Sequence, residues 1–123
     1  MILLDTNYLI GALTPGSQGA NRVLAWYQED ELCTSAIAWY EFLCGPLDNE
    51  AEAVIRGLLR DRIIPFNADQ AAESSRLFNA VGRIRKLRVD SMIAASAILS
   101  NARLATENQL DFKNFESLGL RLL

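Results

Sequence analysis

Four acidic residues spread along the chain, Asp5, Glu41, Asp90 and Asp111, are the ones whose type and placement could do chemistry. The 123-residue chain contains no histidine. That absence removes the commonest general base, the Ser-His and Cys-His nucleophile pairs, and the usual zinc ligands. Hydrolysis would therefore have to work through carboxylates. Carboxylates gathered in one site repel one another, and a bound divalent cation is the natural compensation. Oxygen-only ligands favour Mg2+, with Mn2+ as the alternative, over zinc. Such an ion could lower the pKa of a bound water, orient a phosphodiester and stabilise charge on the attacking and leaving oxygens.

The spacing around two of these acids is unlike that of surface charge. Asp90, Ile93, Ala94, Ala97 and Ile98 fall at i, i+3, i+4, i+7 and i+8, so a carboxylate shares one helical stripe with apolar residues. Glu41 shares a stripe with Ile37, Tyr40 and Cys44, which predicts that it points into the protein. Taken one at a time, each acid has an ordinary alternative. Asp5 and Asp90 could cap helices, Asp111 could form an Asx-turn, and Glu41 could pair with an arginine.

The elements that must position these residues follow from apolar runs and stop signals. Residues 1–4 read as a buried strand running into a helix capped by Asp5 or Thr6. After a turn at Pro15 and Gly16, residues 21–29 read as a helix and 31–34 as a second strand. Ser35 caps a helix reaching about Cys44, where Gly45 and Pro46 stop it, and 48–60 is a further helix. Residues 63–66 read as a strand. Asn67 or Asp69 then caps a long helix reaching about Leu87, with Leu77, Phe78, Val81 and Ile84 inward. Residues 89–100 form another helix, 103–106 a fourth strand, 107–115 a polar loop and 118–122 a last strand at an edge.

Strands separated by helical crossovers imply an α/β fold of three layers, α/β/α, around a central, mainly parallel sheet of four to five strands. Ligand sites in such sheets lie beyond the carboxyl ends of the strands. Asp5 follows the first strand. Asp90 opens a helix that leads down into a strand, which returns it to the same edge, and Asp111 follows that strand. Three acids thus converge by topology.

Length and an apolar fraction of 50% predict one globular domain over residues 1–123. No run approaches the roughly 18 apolar residues of a membrane span, so a soluble protein without a signal peptide is expected. Cys33 and Cys44 have no metal-binding spacing and are expected to be buried small hydrophobes in a reducing cytoplasm. The formal charge of -3 argues against nucleic-acid binding. A local basic segment, Arg83, Arg85, Lys86 and Arg88, could offset it by touching a phosphate backbone, or could simply be a solvated helix end. Trp26, Trp39 and Tyr40 are expected to pack rather than stack on bases.

The residues now assembled resemble the PIN-domain nucleases, and within them the VapC-like toxins of bacterial toxin-antitoxin pairs. Leu3-Leu4-Asp5-Thr6-Asn7 looks like the opening motif, and Thr34-Ser35 through Glu41 to Gly45 like the second. Asp90-Ser91-Met92-Ile93-Ala94-Ala95 looks like the third and Thr106-Glu107-Asn108-Gln109-Leu110-Asp111-Phe112 like the fourth. The resemblance implies that Asp5, Glu41, Asp90 and Asp111 are the metal-binding and catalytic acids, with Asn7, Thr106 and Asn108 shaping the site. It implies Mg2+-assisted hydrolysis of RNA to 3'-hydroxyl and 5'-phosphate ends, a cognate antitoxin and a homodimer. Glu107 departs from many relatives, which carry a basic or neutral residue there. The competing readings are a housekeeping RNA-processing nuclease and a catalytically inactive module that binds RNA or protein.

Overall fold

None of the residues in Ile2–Leu4 is exposed, and a strand apolar on both faces is stable only inside a sheet covered on both sides. In the computed structural model, which describes all residues 1–123, this segment is β1. It lies between β2 (Leu32–Ser35) and β4 (Arg103–Ala105), with β3 (Ile63–Ile64) beyond β2. All three pairings are parallel. Ile2 stands opposite both Leu32 and Arg103, and Leu4 opposite Ala105. The expectation of a parallel sheet holds, at four strands.

Strand alternation divides the core in two. Ile2, Leu4 and Leu32 pack against Tyr8 and Leu9 of α1 (Thr6–Gly11), Val23 of α2 (Gln18–Glu29), Phe42 of α3 (Ala36–Leu43) and Ile55 of α4 (Asn49–Leu59). Leu3, Cys33 and Leu104 face the opposite layer. There they meet Leu77 of α5 (Ala68–Ala80), Ile93, Ala94 and Ala97 of α6 (Arg88–Leu99), and Phe112, the last residue of α7 (Gln109–Phe112). The result is the expected α/β/α arrangement.

Polar side chains set where the helices begin. Ser17, Ser35, Asp48 and Asn67 accept from the backbone N–H of Ala20, Ala38, Ala51 and Gln70. Each such cap contributes about 1 kcal/mol. α5 and α6 are joined by a buried polar contact as well as by apolar packing. Ser96 Oγ donates to Gln70 Oε1 at 2.7 Å, and Ser74 Oγ donates to Gln70 O at 2.7 Å.

Several expectations need correction. The long helix after Asn67 ends at Ala80 rather than near Leu87. Gly82 and Arg83 both adopt left-handed backbone, with φ of 79° and 58°, which a helix cannot accommodate. The chain resumes as a 3-10 turn over Arg85–Leu87 that runs into α6. Ile84 is consequently exposed, and it is Leu87 that reaches the core. Residues 118–122 form no strand. Lys113–Leu118 winds as a 3-10 helix, Gly119 turns at φ 116°, and only a single parallel bridge joins Leu122 to Leu104. Residues 109–112, expected in a loop, form α7. Cys33 is buried but Cys44 is exposed, as is Tyr40. Trp39 is buried and Trp26 packs edge-on against Tyr8. No helix is long and apolar enough to cross a membrane.

Leu3 lies fully buried at the centre of the site-bearing sheet, so Leu3→Ala should cost about 2–5 kcal/mol in urea unfolding. Leu110→Ala, at a side chain 81% exposed, should stay within about 0.5 kcal/mol. Equal effects would mean that β1 is not the central strand.

Candidate active site

The order β3-β2-β1-β4 means that the chain leaves β1 toward β2 on one side and returns to β4 on the other. A crevice therefore opens between the carboxyl ends of β1 and β4, the switch point where parallel sheets bind ligands. Asp5 and Thr106 are the first residues beyond those two strands. Asp5 N donates to Ala105 O at 3.0 Å, which continues the ladder one residue further.

From this crevice a chain of neutral hydrogen bonds connects all four acids. Thr106 Oγ1 donates to Asp5 Oδ2 at 2.7 Å, and Thr6 N donates to Asp5 Oδ1 at 2.8 Å. The Thr6 hydroxyl donates to Glu41 Oε1 at 3.0 Å. Thr106 Oγ1 also accepts from Asn108 N at 3.0 Å, fixing the loop that carries Asn108. The Asn108 amide Nδ2 then donates to Asp111 Oδ2 at 3.0 Å and Asp90 Oδ2 at 3.4 Å. Lys86 Nζ stands 3.2 Å from Asp111 Oδ1.

Each predicted site residue can now be placed. Asp5 caps α1 and also faces the crevice. Asp90 lies in the first turn of α6 but is not its cap, a position held by Leu87. Glu41 does not point into the protein. The buried stripe of α3 is Ala38, Trp39 and Phe42, and Glu41 lies on an exposed flank, brought to the others because the start of α1 rests beside α3. Thr106 and Asn108 lie within the network, whereas Asn7, exposed on α1, takes no part in it. Of the basic segment, Lys86 reaches an acid, the Arg88 guanidinium lies 5.4 Å over the Phe78 ring, and Arg83 and Arg85 are exposed. Sequence reasoning missed Thr6 as a site residue. Its only signal was a hydroxyl directly after Asp5.

A family model described as the PIN domain matches residues 2–117. The chain belongs to the PIN domain family. This PIN domain is similar to FitAcB from Neisseria gonorrhoeae, with 26% identity and a TM-score of 0.75 over 100% of this chain and 96% of that one. It is also similar to a toxin-antitoxin complex from Klebsiella pneumoniae, with 30% identity and a TM-score of 0.71 over 91% of this chain and 90% of that one. VapBC2 from Rickettsia felis, bound to a promoter DNA fragment, shares the fold at 23% identity and a TM-score of 0.72, over 100% of this chain and 98% of that one. No curated protein matches the chain.

The electrostatics of the PIN domain's crevice follow from gathering acids beside a sheet. Asp90 has its pKa pushed up to about 6, first by burial and then by the charges of Asp5, Asp111 and Glu41, with Lys86 pulling the other way. Burial raises Asp5, against the Thr106 and Thr6 hydrogen bonds. Asp111 is lowered, chiefly by the Asn108 hydrogen bond and then by Lys86. No three acidic or cysteine side chains close into a ready-made metal shell. The donor set is nevertheless all oxygen and mutually repelling, which suits a hard divalent cation.

Because folding raises the Asp90 pKa, folding favours its protonated form. Its stabilising contribution is complete below pH 3.8 and is lost as pH rises through about 6. Allowing for solvent screening of a half-buried group, the ionised form costs about 2 kcal/mol. In metal-free buffer at pH 8, Asp90→Asn should melt roughly 5 °C above the parent, and the two should converge near pH 4. A variant that melts lower at pH 8 would show that ionised Asp90 does not destabilise the fold.

Proposed function

We propose that this PIN domain is a divalent-metal-dependent endoribonuclease and the toxin of a toxin-antitoxin pair. The observation that carries the reading is the hydrogen-bonded chain that gathers Asp5, Glu41, Asp90 and Asp111 at the carboxyl end of the β1–β4 crevice. With no histidine in the chain, these carboxylates would hold Mg2+ or Mn2+. A bound ion supplies Lewis acidity toward a water and a phosphodiester oxygen.

The protein's own groups do the holding and aiming. Thr106 and Thr6 fix both oxygens of Asp5, so its carboxylate cannot rotate away from the crevice. Asn108 keeps Asp90 and Asp111 on one side with a single amide. These neutral donors orient the acids without removing their charge, which leaves the negative potential available to a cation. RNA would approach along the exposed Arg83 and Arg85, whose charges locally offset the net -3.

The toxin reading takes support from the likeness to the toxin-antitoxin complex from Klebsiella pneumoniae at 30% identity. An antitoxin needs an apolar surface to grip. An open groove of about 430 Å3 between α2 and α4, lined by Val23, Leu24, Tyr27, Val54 and Leu58, offers one.

Cleavage mapping on total cellular RNA with the parent and Asp90→Asn side by side tests the function. The parent should cut with added Mg2+ and the variant at least about 100-fold more slowly, both being folded. Equal cutting by the two would remove the acids from the mechanism. Expression should arrest growth, with rescue by the product of a neighbouring reading frame.

A further inference from the structure

Asp5, Glu41 and Asp90 are satisfied by neutral donors, but Asp111 carries an ammonium. Of the five ion pairs in the protein, only that between Lys86 and Asp111 touches the four acids. The backbone beneath Lys86 is held, because the 3-10 turn is anchored by buried Leu87 and leads directly into α6. The side chain itself is 70% exposed, on a flexible four-carbon stem, and can swing at little cost. Neighbouring Arg88 is engaged with Phe78, while Arg83 and Arg85 make no ion pair. Lys86 is thus the one positive charge the chain places among its own acids.

We propose that Lys86 is a charge-compensating positioning residue. It holds Asp111 while no divalent cation is bound, and turns to a phosphate of the RNA strand once one is. The proposal rests on the nuclease reading above. A cation bound by these carboxylates competes with the ammonium for Asp111 and repels it across a short distance. Lysine also binds phosphate as a mobile point charge, so the displaced ammonium finds its next partner on the substrate. The same side chain then weakens metal binding and strengthens RNA binding. A merely solvated lysine does neither.

The test compares the parent with Lys86→Met and Lys86→Arg, using Mn2+ calorimetry on the free protein and RNA-cleavage kinetics at several salt concentrations. Lys86→Met should melt like the parent and bind Mn2+ about threefold to tenfold more tightly. Its KM for RNA should rise about as much, with kcat within about twofold, and the salt dependence of kcat/KM should lose a slope of roughly 0.7. Lys86→Arg should restore parental KM and salt slope. Unchanged Mn2+ affinity overturns the hold on Asp111, and unchanged KM and salt slope overturn the transfer to phosphate. A parent that binds Mn2+ but cleaves no RNA overturns the nuclease reading and the transfer with it. In that event tighter Mn2+ binding by Lys86→Met sustains the hold and equal binding overturns it. Absence of Mn2+ binding in parent and variant alike overturns both.

Discussion

Asp5 keeps only 7% of its surface in contact with solvent, at the point where two parallel strands end, and a carboxylate so placed must be met by donors or protonated. The donors come from both sides of the crevice. Thr6 supplies a backbone N–H from the β1 side, and Thr106 a hydroxyl from the β4 side. The Thr106 hydroxyl works twice, since it also accepts from Asn108 and so fixes the loop whose amide collects Asp90 and Asp111. The hydrogen bonds that satisfy that one buried carboxylate thus run on, through Thr6 and Asn108, to the three further acids. Several side chains therefore share each other's fate, and removing one leaves others unpaired.

Much of the sheet could be read from the chain because each of its longer strands carries a short apolar run that stops at a polar residue. Ile2–Leu4, Leu32–Ser35 and Arg103–Ala105 fall where apolar runs stop at Asp5, Thr34 and Thr106. The helix past Ala80 misled because its apolar spacing continues through a break. Val81, Ile84 and Leu87 keep helical intervals, but Gly82 and Arg83 reverse the backbone between them. Local periodicity reports which residues prefer apolar surroundings, and only tertiary packing decides whether the chain stays helical between them.

The site was legible in unequal parts. Topology alone set Asp5, Asp90 and Asp111 at one edge, since it depends only on strand direction. Glu41 reaches the group by a route that the helical stripe obscured. Its stripe-mates Tyr40 and Cys44 are exposed, and the contact runs through Thr6 on a different helix. A side chain that meets its partners across an element boundary leaves no periodic trace in its own element. The pairing of Lys86 with Asp111 is of the same kind, joining residues 25 positions apart whose proximity follows from the early end of α5.

The buried hydrogen bond from Ser96 to Gln70 has a bearing on the distant carboxylates. Apolar faces can slide over one another by a turn and still bury similar area, whereas a hydrogen bond is met at one position and missed at the next. A slip of α6 by one turn, about 5.4 Å, would leave the amide and hydroxyl unpaired in the interior, at about 1–3 kcal/mol. Asp90 stands six residues upstream of Ser96 on the same helix, roughly 9 Å away along its axis. The polar contact thus acts as an index pin, transmitting a fixed axial setting along a rigid rod to a carboxylate it never touches.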